Sequence, residues 1–166
     1  MPHFLIQNIA RFVVLMLVQV LVLNNVQFLG FINPYIYVLF IISLPVKTPR
    51  WLSLILAFIL GITIDVFTNT LGLHAFACVL IAFLRNSLIN IFAHNEDNIN
   101  FTPSFNTFGT ADYIKYVFIS VLIHHFTLYY MEVFSFANFW ITAYRALISS
   151  LITIAIILGV QLLGKK

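Results

Sequence analysis

The sequence predicts an all-α integral membrane protein, a bundle of six transmembrane helices with both termini in the cytoplasm. Three observations predict it. First, 62% of the 166 residues are hydrophobic, 8% are charged, and mean hydropathy is +1.05. Soluble domains carry about 45–50% apolar and about 25% charged residues. So few charges cannot solvate a soluble surface, and disorder requires the opposite composition. Second, the apolar runs are long and continuous and lack the period-two alternation of barrel strands. Third, six helices of about 20 residues use roughly 120 of them, which leaves short loops and a single transmembrane domain over 1–166.

The spans fall at about 9–29, 31–46, 50–68, 71–92, 112–131 and 137–163. Arg11 precedes an apolar run to Leu23, and Asn24-Asn25-Val26-Gln27 follows where small residues would mark a cleavage site. The first span therefore reads as uncleaved. Asn33-Pro34 opens the second span as a cap followed by proline at the first helical position, and Pro45 and Pro49 end it. From Pro34 to Lys47 a helix reaches only about 21 Å at 1.5 Å per residue, short of the roughly 30 Å hydrocarbon core. Either this helix starts earlier, near Phe28, or the bilayer thins around it.

Charge placement selects six crossings. Arg11, Lys47, Arg50, Arg85, Lys115, Lys165 and Lys166 then lie on one side, and the loops at 24–33, 66–72 and 132–138 contain no Lys or Arg. The positive-inside rule puts the basic side in the cytoplasm. The segment 94–111 is the one sizeable loop. Its polar, Asn- and Thr-rich sequence with Pro103 and Gly109 predicts a solvated cytoplasmic connector or a docking surface for a partner. Trp51 and Trp140 flank opposite ends of the bundle as interfacial residues.

Ionisable residues inside spans each require a partner or a function. In this topology Asp65, His74, His124, His125 and Glu132 gather on the outer side. Arg145 is the deepest charge, about 12 Å along the helix from Ala137. Asp65 and Glu132 are the only acids there, so one or both are expected to pair with Arg145 across helices. That pairing reads as a packing ion pair or as a binding or proton-transfer site; the remaining alternative is that Arg145 snorkels to the interface. Ala57-x-x-x-Gly61 and Ala146-x-x-x-Ser150 predict close helix approach, within the chain or to a partner subunit.

Catalytic and cofactor signatures are missing from the sequence. His124 and His125 diverge by about 100° on a helix and chelate poorly, and no H-E-x-x-H or Cys/His zinc spacing occurs. No G-x-S-x-G elbow, Walker motif or Rossmann glycine pattern is present. Cys78 is the single cysteine and reads as a small buried hydrophobe. Eight basic residues, dispersed along the chain, do not make a nucleic-acid surface. The expectation is a non-enzyme without metal or cofactor.

A series of short motifs then carries a resemblance. Asn33-Pro34-Tyr35 and Leu44-Pro45 are followed by Leu60-Gly61-Ile62-Thr63-Ile64-Asp65-Val66-Phe67, and then by Leu71-Gly72-Leu73-His74-Ala75. In order, spacing and total length these resemble the rod shape-determining protein MreD family. Ala82-Phe83-Leu84-Arg85, His124-His125 and Glu132-Val133-Phe134 look like its Bacteroidetes-type branch. The resemblance runs most clearly through 31–92 and more loosely through 112–140. It implies a scaffold subunit of the bacterial elongation machinery in the inner membrane, without reaction chemistry. The implied partners are MreC, MreB, and the RodA polymerase with its transpeptidase. It also implies a fold similar to the membrane S subunits of energy-coupling-factor transporters. Asp65, Gly61, Gly72 and His74 match the family pattern as structural or interface positions.

The alternative function is the substrate-binding subunit of a vitamin transporter, with an outward cavity ringed by Asp65, His74, His125 and Glu132. Against it, Arg11 to Leu29 contains no small residue of the kind such subunits use to dock their energising partner. An intramembrane enzyme or an unrelated channel is disfavoured by the lack of motifs and of acid rings.

Overall fold

The computed structural model describes residues 2–26, 32–93, 101–135 and 138–164, and every regular element among them is a helix. Helix α1 covers Pro2–Leu21 and runs on into a 3-10 turn, Leu23–Asn25. Helix α2 is the five residues Val38–Ile42, α3 is Arg50–Thr68, α4 is Leu73–Phe92, α5 is Phe105–Phe108, α6 is Thr110–Val133 and α7 is Phe139–Leu163. The main packing order is α3 on α4, α4 on α6 and α6 on α7.

Helix α3 occupies the predicted 50–68, and α4, α6 and α7 differ from prediction by two residues at one or both ends. Four segments are long and apolar enough to cross a membrane: Asn8–Asn25, Arg50–Thr68, Leu73–Phe92 and Phe139–Leu163. At about 36 Å, α6 is also long enough, but Asp112, Lys115, His124, His125 and Glu132 make it more polar. The protein is therefore an all-α membrane protein with four clear candidate spans.

The second predicted span is corrected. Residues 33–35 are not helical, Ile36 and Tyr37 form a turn, and only Val38–Ile42 is α-helix. Pro34 lacks an N–H and biases Asn33 away from helical angles, so a helix cannot be built through this point. The segment is wrapped in protein, with every residue from Pro34 to Leu44 buried. Irregular backbone at membrane depth is tolerated only where protein or a wet cavity surrounds it, because lipid offers no hydrogen bonds.

Polar side chains from four surrounding helices meet the orphaned backbone groups of this segment. Gln19 of α1 donates from Nε2 to Pro34 O at 3.0 Å and accepts Ile36 N–H on Oε1 at 2.9 Å. Thr153 of α7 accepts Tyr35 N–H at 3.1 Å. Tyr116 of α6 donates its hydroxyl to Ile42 O at 3.0 Å. Arg11 of α1 donates to Ser43 O at 3.2 Å, and Arg85 of α4 donates to Leu44 O. Arg85 lies at the basic end with Arg11 and Arg50, yet it is 1% exposed and fixes the end of the segment.

The loop at 94–111 is also revised over its described part, 101–111. Phe101 O accepts Val46 N–H at 3.0 Å. Ser104 and Thr107 form a capping box on α5, which satisfies both ends of its first turn. Phe105 and Phe108 are buried against Tyr113 and Tyr116. This stretch is a packed plug, not a solvated connector; residues 94–100 lie outside the described residues.

Gly61 sets the α3–α4 approach. A Cβ there would sit 2.3 Å from Ala75 Cα and 2.6 Å from Ala75 N, distances at which backbone must move. Ala57 is fully buried on the same face, so this small-residue pair serves a contact within the chain. Ala146 and Ser150 are likewise buried, and the Ser150 hydroxyl donates to Ala146 O at 2.6 Å.

Two stability predictions follow from these contacts. Gly61→Ala is expected to lower unfolding free energy by about 1–3 kcal/mol, because overpacking against backbone has no side chain to yield. Gln19→Leu makes α1 more apolar yet is expected to cost about 2–4 kcal/mol, since it orphans a buried N–H and a buried C=O. Reversible unfolding in mixed micelles measures both, and an unchanged or raised midpoint for Gln19→Leu would contradict the backbone accounting.

Candidate functional site

The polar residues sort to two ends of the bundle. One end gathers Arg11, Arg50 and Arg85 around Ser43, Leu44 and Phe83 O. The other gathers Asn24, Asn33, Asp65, Thr70, His74 and Glu132.

Asp65 organises the second end. Helix α3 stops at Asn69, which takes left-handed angles (φ 56°) and sends its N–H back to Asp65 O. Gly72 (φ 83°) then reverses the chain and caps α4 without offering a side chain. The missing cap is supplied from α3. Asp65 Oδ1 accepts His74 N–H at 3.1 Å, and Oδ2 accepts Ala75 N–H at 2.9 Å. These are two of the N–H groups a helix start leaves unpaired, where negative charge is also favoured. Oδ1 further accepts the Thr70 hydroxyl at 2.5 Å and His74 Nδ1 at 3.0 Å. Gly61, one turn earlier, lets α4 come close enough for this to happen.

Tyr35 sits at the centre of the aromatic interior. Its ring lies 5.3 Å from that of His125, 5.5 Å from His74, 6.2 Å from His124 and 6.4 Å from Tyr129. His125 Nδ1 is 3.0 Å from Val121 O and its Nε2 is 3.0 Å from Thr153 Oγ1. Val121 O only accepts, so the Nδ1 proton is directed at it, and the Thr153 hydroxyl has one proton to divide between Ser149 O, 2.8 Å away, and Nε2. His124 Nε2 pairs with the Tyr37 hydroxyl at 3.1 Å. Both histidines are fully buried, so they join the irregular segment to α6 and α7 and do not serve as interfacial rings. The Tyr129 and Ser149 hydroxyls meet at 2.7 Å.

The expected ion pair at Arg145 is corrected. Among the described residues the carboxylates in contact with a basic side chain are Asp65, hydrogen-bonded to His74, and Asp112, paired with Lys115. Arg145 lies with its guanidinium carbon 5.8 Å from the Tyr129 ring centroid, a cation–π arrangement. The packing order explains the miss, because α3 and α7 are separated by α4 and α6. Glu132 is exposed at the end of α6, two turns beyond His125 on the same face, and lines the cavity at this end of the bundle.

A cavity of about 360 Å³ opens at this end of the bundle. Its walls include Asn24, Asn25, Asn33, Tyr35, Thr68 and Thr70, with His74 and Glu132. The ring expected from the sequence is thus half right: Asp65 and His125 are buried in the contacts above. Among the described residues no three His, Cys, Asp or Glu side chains converge as a metal site. Sequence reasoning missed Gln19, Tyr35, Arg85 and Thr153. For Gln19, Arg85 and Thr153 the available signal was the same one that flagged Asp65, a polar side chain inside an apolar helix.

Two double-mutant cycles separate the two pairings. Asp65→Ala and His74→Ala are expected to couple by about 1–3 kcal/mol, whereas Asp65→Ala and Arg145→Ala are expected to add within about 0.5 kcal/mol. Strong coupling in the second cycle would restore the Asp65–Arg145 pair.

No curated protein and no solved structure matches the chain. The family model of the rod shape-determining protein MreD matches residues 3–164, which takes in α1 through α7, the Asp65 clamp and the cavity. The chain belongs to the rod shape-determining protein MreD family, and its role lies in rod shape determination.

Proposed function

We propose that this protein is a non-enzymatic scaffold subunit of the cell-wall elongation complex in the bacterial inner membrane. It binds MreC, assembles with MreB, RodA and the RodA transpeptidase, and helps regulate peptidoglycan synthesis. The single observation that carries this reading is the family match over 3–164. The interior supports it in kind, because Gln19, Asp65, His125 and Thr153 hold helices and the irregular segment together.

In this reading the chain crosses the membrane six times with both termini in the cytoplasm, in an architecture similar to energy-coupling-factor S subunits. Two observations support six crossings. The segment 32–44 runs from the Asn33–His74 end to the Arg11–Arg85 end, so it traverses the bundle although most of it is not helix. Helix α6 is long enough and packs between α4 and α7. The basic end would face the cytoplasm.

A scaffold needs open helix faces. Ile55, Phe58, Ile59, Ile62 and Val66 leave one side of α3 exposed, and Trp140, Ile141, Tyr144, Leu147 and Leu151 do the same for α7. In a bilayer such faces meet lipid or another helix. Against the transporter reading, Arg11 to Leu29 contains no small residue of the kind its docking would require.

Affinity purification from native membranes in mild detergent is expected to recover MreC with this chain. Recovery of the intact protein with no cell-wall elongation component, in detergents that keep the bundle folded, would contradict the proposal.

A further inference from the structure

We infer that the polar cavity at the Asp65 end binds a primary ammonium group, presented by a lipid headgroup or by a soluble amine. The inference goes beyond the scaffold reading and does not depend on it. It starts from two polar atoms that the fold leaves unsatisfied. His74 is 4% exposed, lines the cavity, and has no hydrogen-bond partner for Nε2 among the described residues; Asn33 Oδ1 is buried there in the same condition. Leaving a buried polar atom unpaired costs about 1–3 kcal/mol, so each such atom in a native structure calls for an occupant.

The chemistry of the occupant follows from which protons are already spent. His74 Nδ1 is directed at the Asp65 carboxylate, so in the neutral ring Nε2 presents a lone pair. Asn33 Oδ1 is an acceptor. The Thr70 hydroxyl donates to Asp65, and the Thr68 hydroxyl has one proton to divide between Ile64 O and Thr70 Oγ1, so neither offers the cavity a donor. Asn25 spends its amide N–H groups on Val20 O and Leu21 O, so its carbonyl oxygen remains. Asn24, whose Oδ1 is taken by Gln19, adds amide N–H groups to the wall. Glu132 adds a carboxylate, and among the described residues no Lys or Arg lines the cavity. The one fixed charge of the wall is negative, which disfavours phosphate and sulfate, and the two unsatisfied acceptors call for a cationic donor. An ammonium offers three N–H donors and no acceptor. Tyr35 and Phe67 add ring faces of the kind that attract organic cations. The cavity volume of about 360 Å³ lies within the about 300–1,000 Å³ of small-ligand sites.

The test uses the full-length protein in nanodiscs. One arm titrates ethanolamine, choline and inorganic phosphate into phosphatidylcholine discs and reads binding by calorimetry. The other arm adds phosphatidylethanolamine to the discs and reads retained lipid by native mass spectrometry. Ethanolamine or phosphatidylethanolamine is expected to bind at least tenfold better than its trimethylated counterpart, which has no N–H, and phosphate is expected not to bind. Binding confined to the lipid arm assigns the headgroup; binding in both assigns any primary amine. Glu132→Gln, exposed and outside the packing contacts, is expected to weaken binding at least tenfold. Asn33→Leu is expected to abolish binding while holding or raising the unfolding midpoint, because it removes an unsatisfied atom. Equal binding of choline and ethanolamine, no binding of either amine form, or full binding by both folded variants would overturn the inference.

Discussion

An irregular stretch of backbone inside an apolar bundle must find all its hydrogen bonds in the protein. That constraint organises this structure. Residues 33–37 and 42–44 leave carbonyls and N–H groups that no helix ladder absorbs, and lipid absorbs none. Several polar residues that look out of place in the neighbouring helices answer them. Gln19 takes Pro34 O and Ile36 N–H, Thr153 takes Tyr35 N–H, Tyr116 takes Ile42 O, and Arg85 takes Leu44 O. The segment thereby joins α1, α4, α6 and α7, adding to the direct α6–α7 bonds of His125 with Thr153 and of Tyr129 with Ser149.

The same logic governs the α3–α4 hairpin. Gly61 removes the bulk that would keep the helices apart, and Asp65 uses the resulting closeness to cap a helix that begins on a glycine. Neither residue works without the other. A carboxylate at 65 with the helices held apart would be a buried charge without partners, and a close approach without the carboxylate would leave two N–H groups unpaired. Thr70 and His74 complete the coordination from the turn and from α4 itself.

Much of the fold was legible. Long apolar runs bounded by Pro49, Gly72 and Gly109 placed α3, α4 and α6 to within two residues. The second span was not, because a buried helix and a buried extended segment share the same apolar composition, and only the side chains around it distinguish them. Asp65 and His74 were legible as a place where something happens. Their partners were not, because charge arithmetic ignores which helices touch. Asp65 and Arg145 have opposite signs and were expected in the outer half, yet they sit on α3 and α7, with α4 and α6 between. The burial of Arg85 was not legible either, because the placement of a basic residue assigns it a side of the membrane and says nothing of its burial within the protein.

The central claim is that residues 33–37 cross the interior in extended and turn conformations, held by Gln19 and Thr153. Solid-state NMR of the labelled protein in bilayers measures it directly through backbone Cα shifts. Extended shifts at 33–35 giving way to helical shifts at Val38–Ile42 are the predicted result. Uniformly helical shifts from 31 to 46 would contradict it, because a continuous helix would satisfy its own backbone and leave those two side chains with nothing to hold.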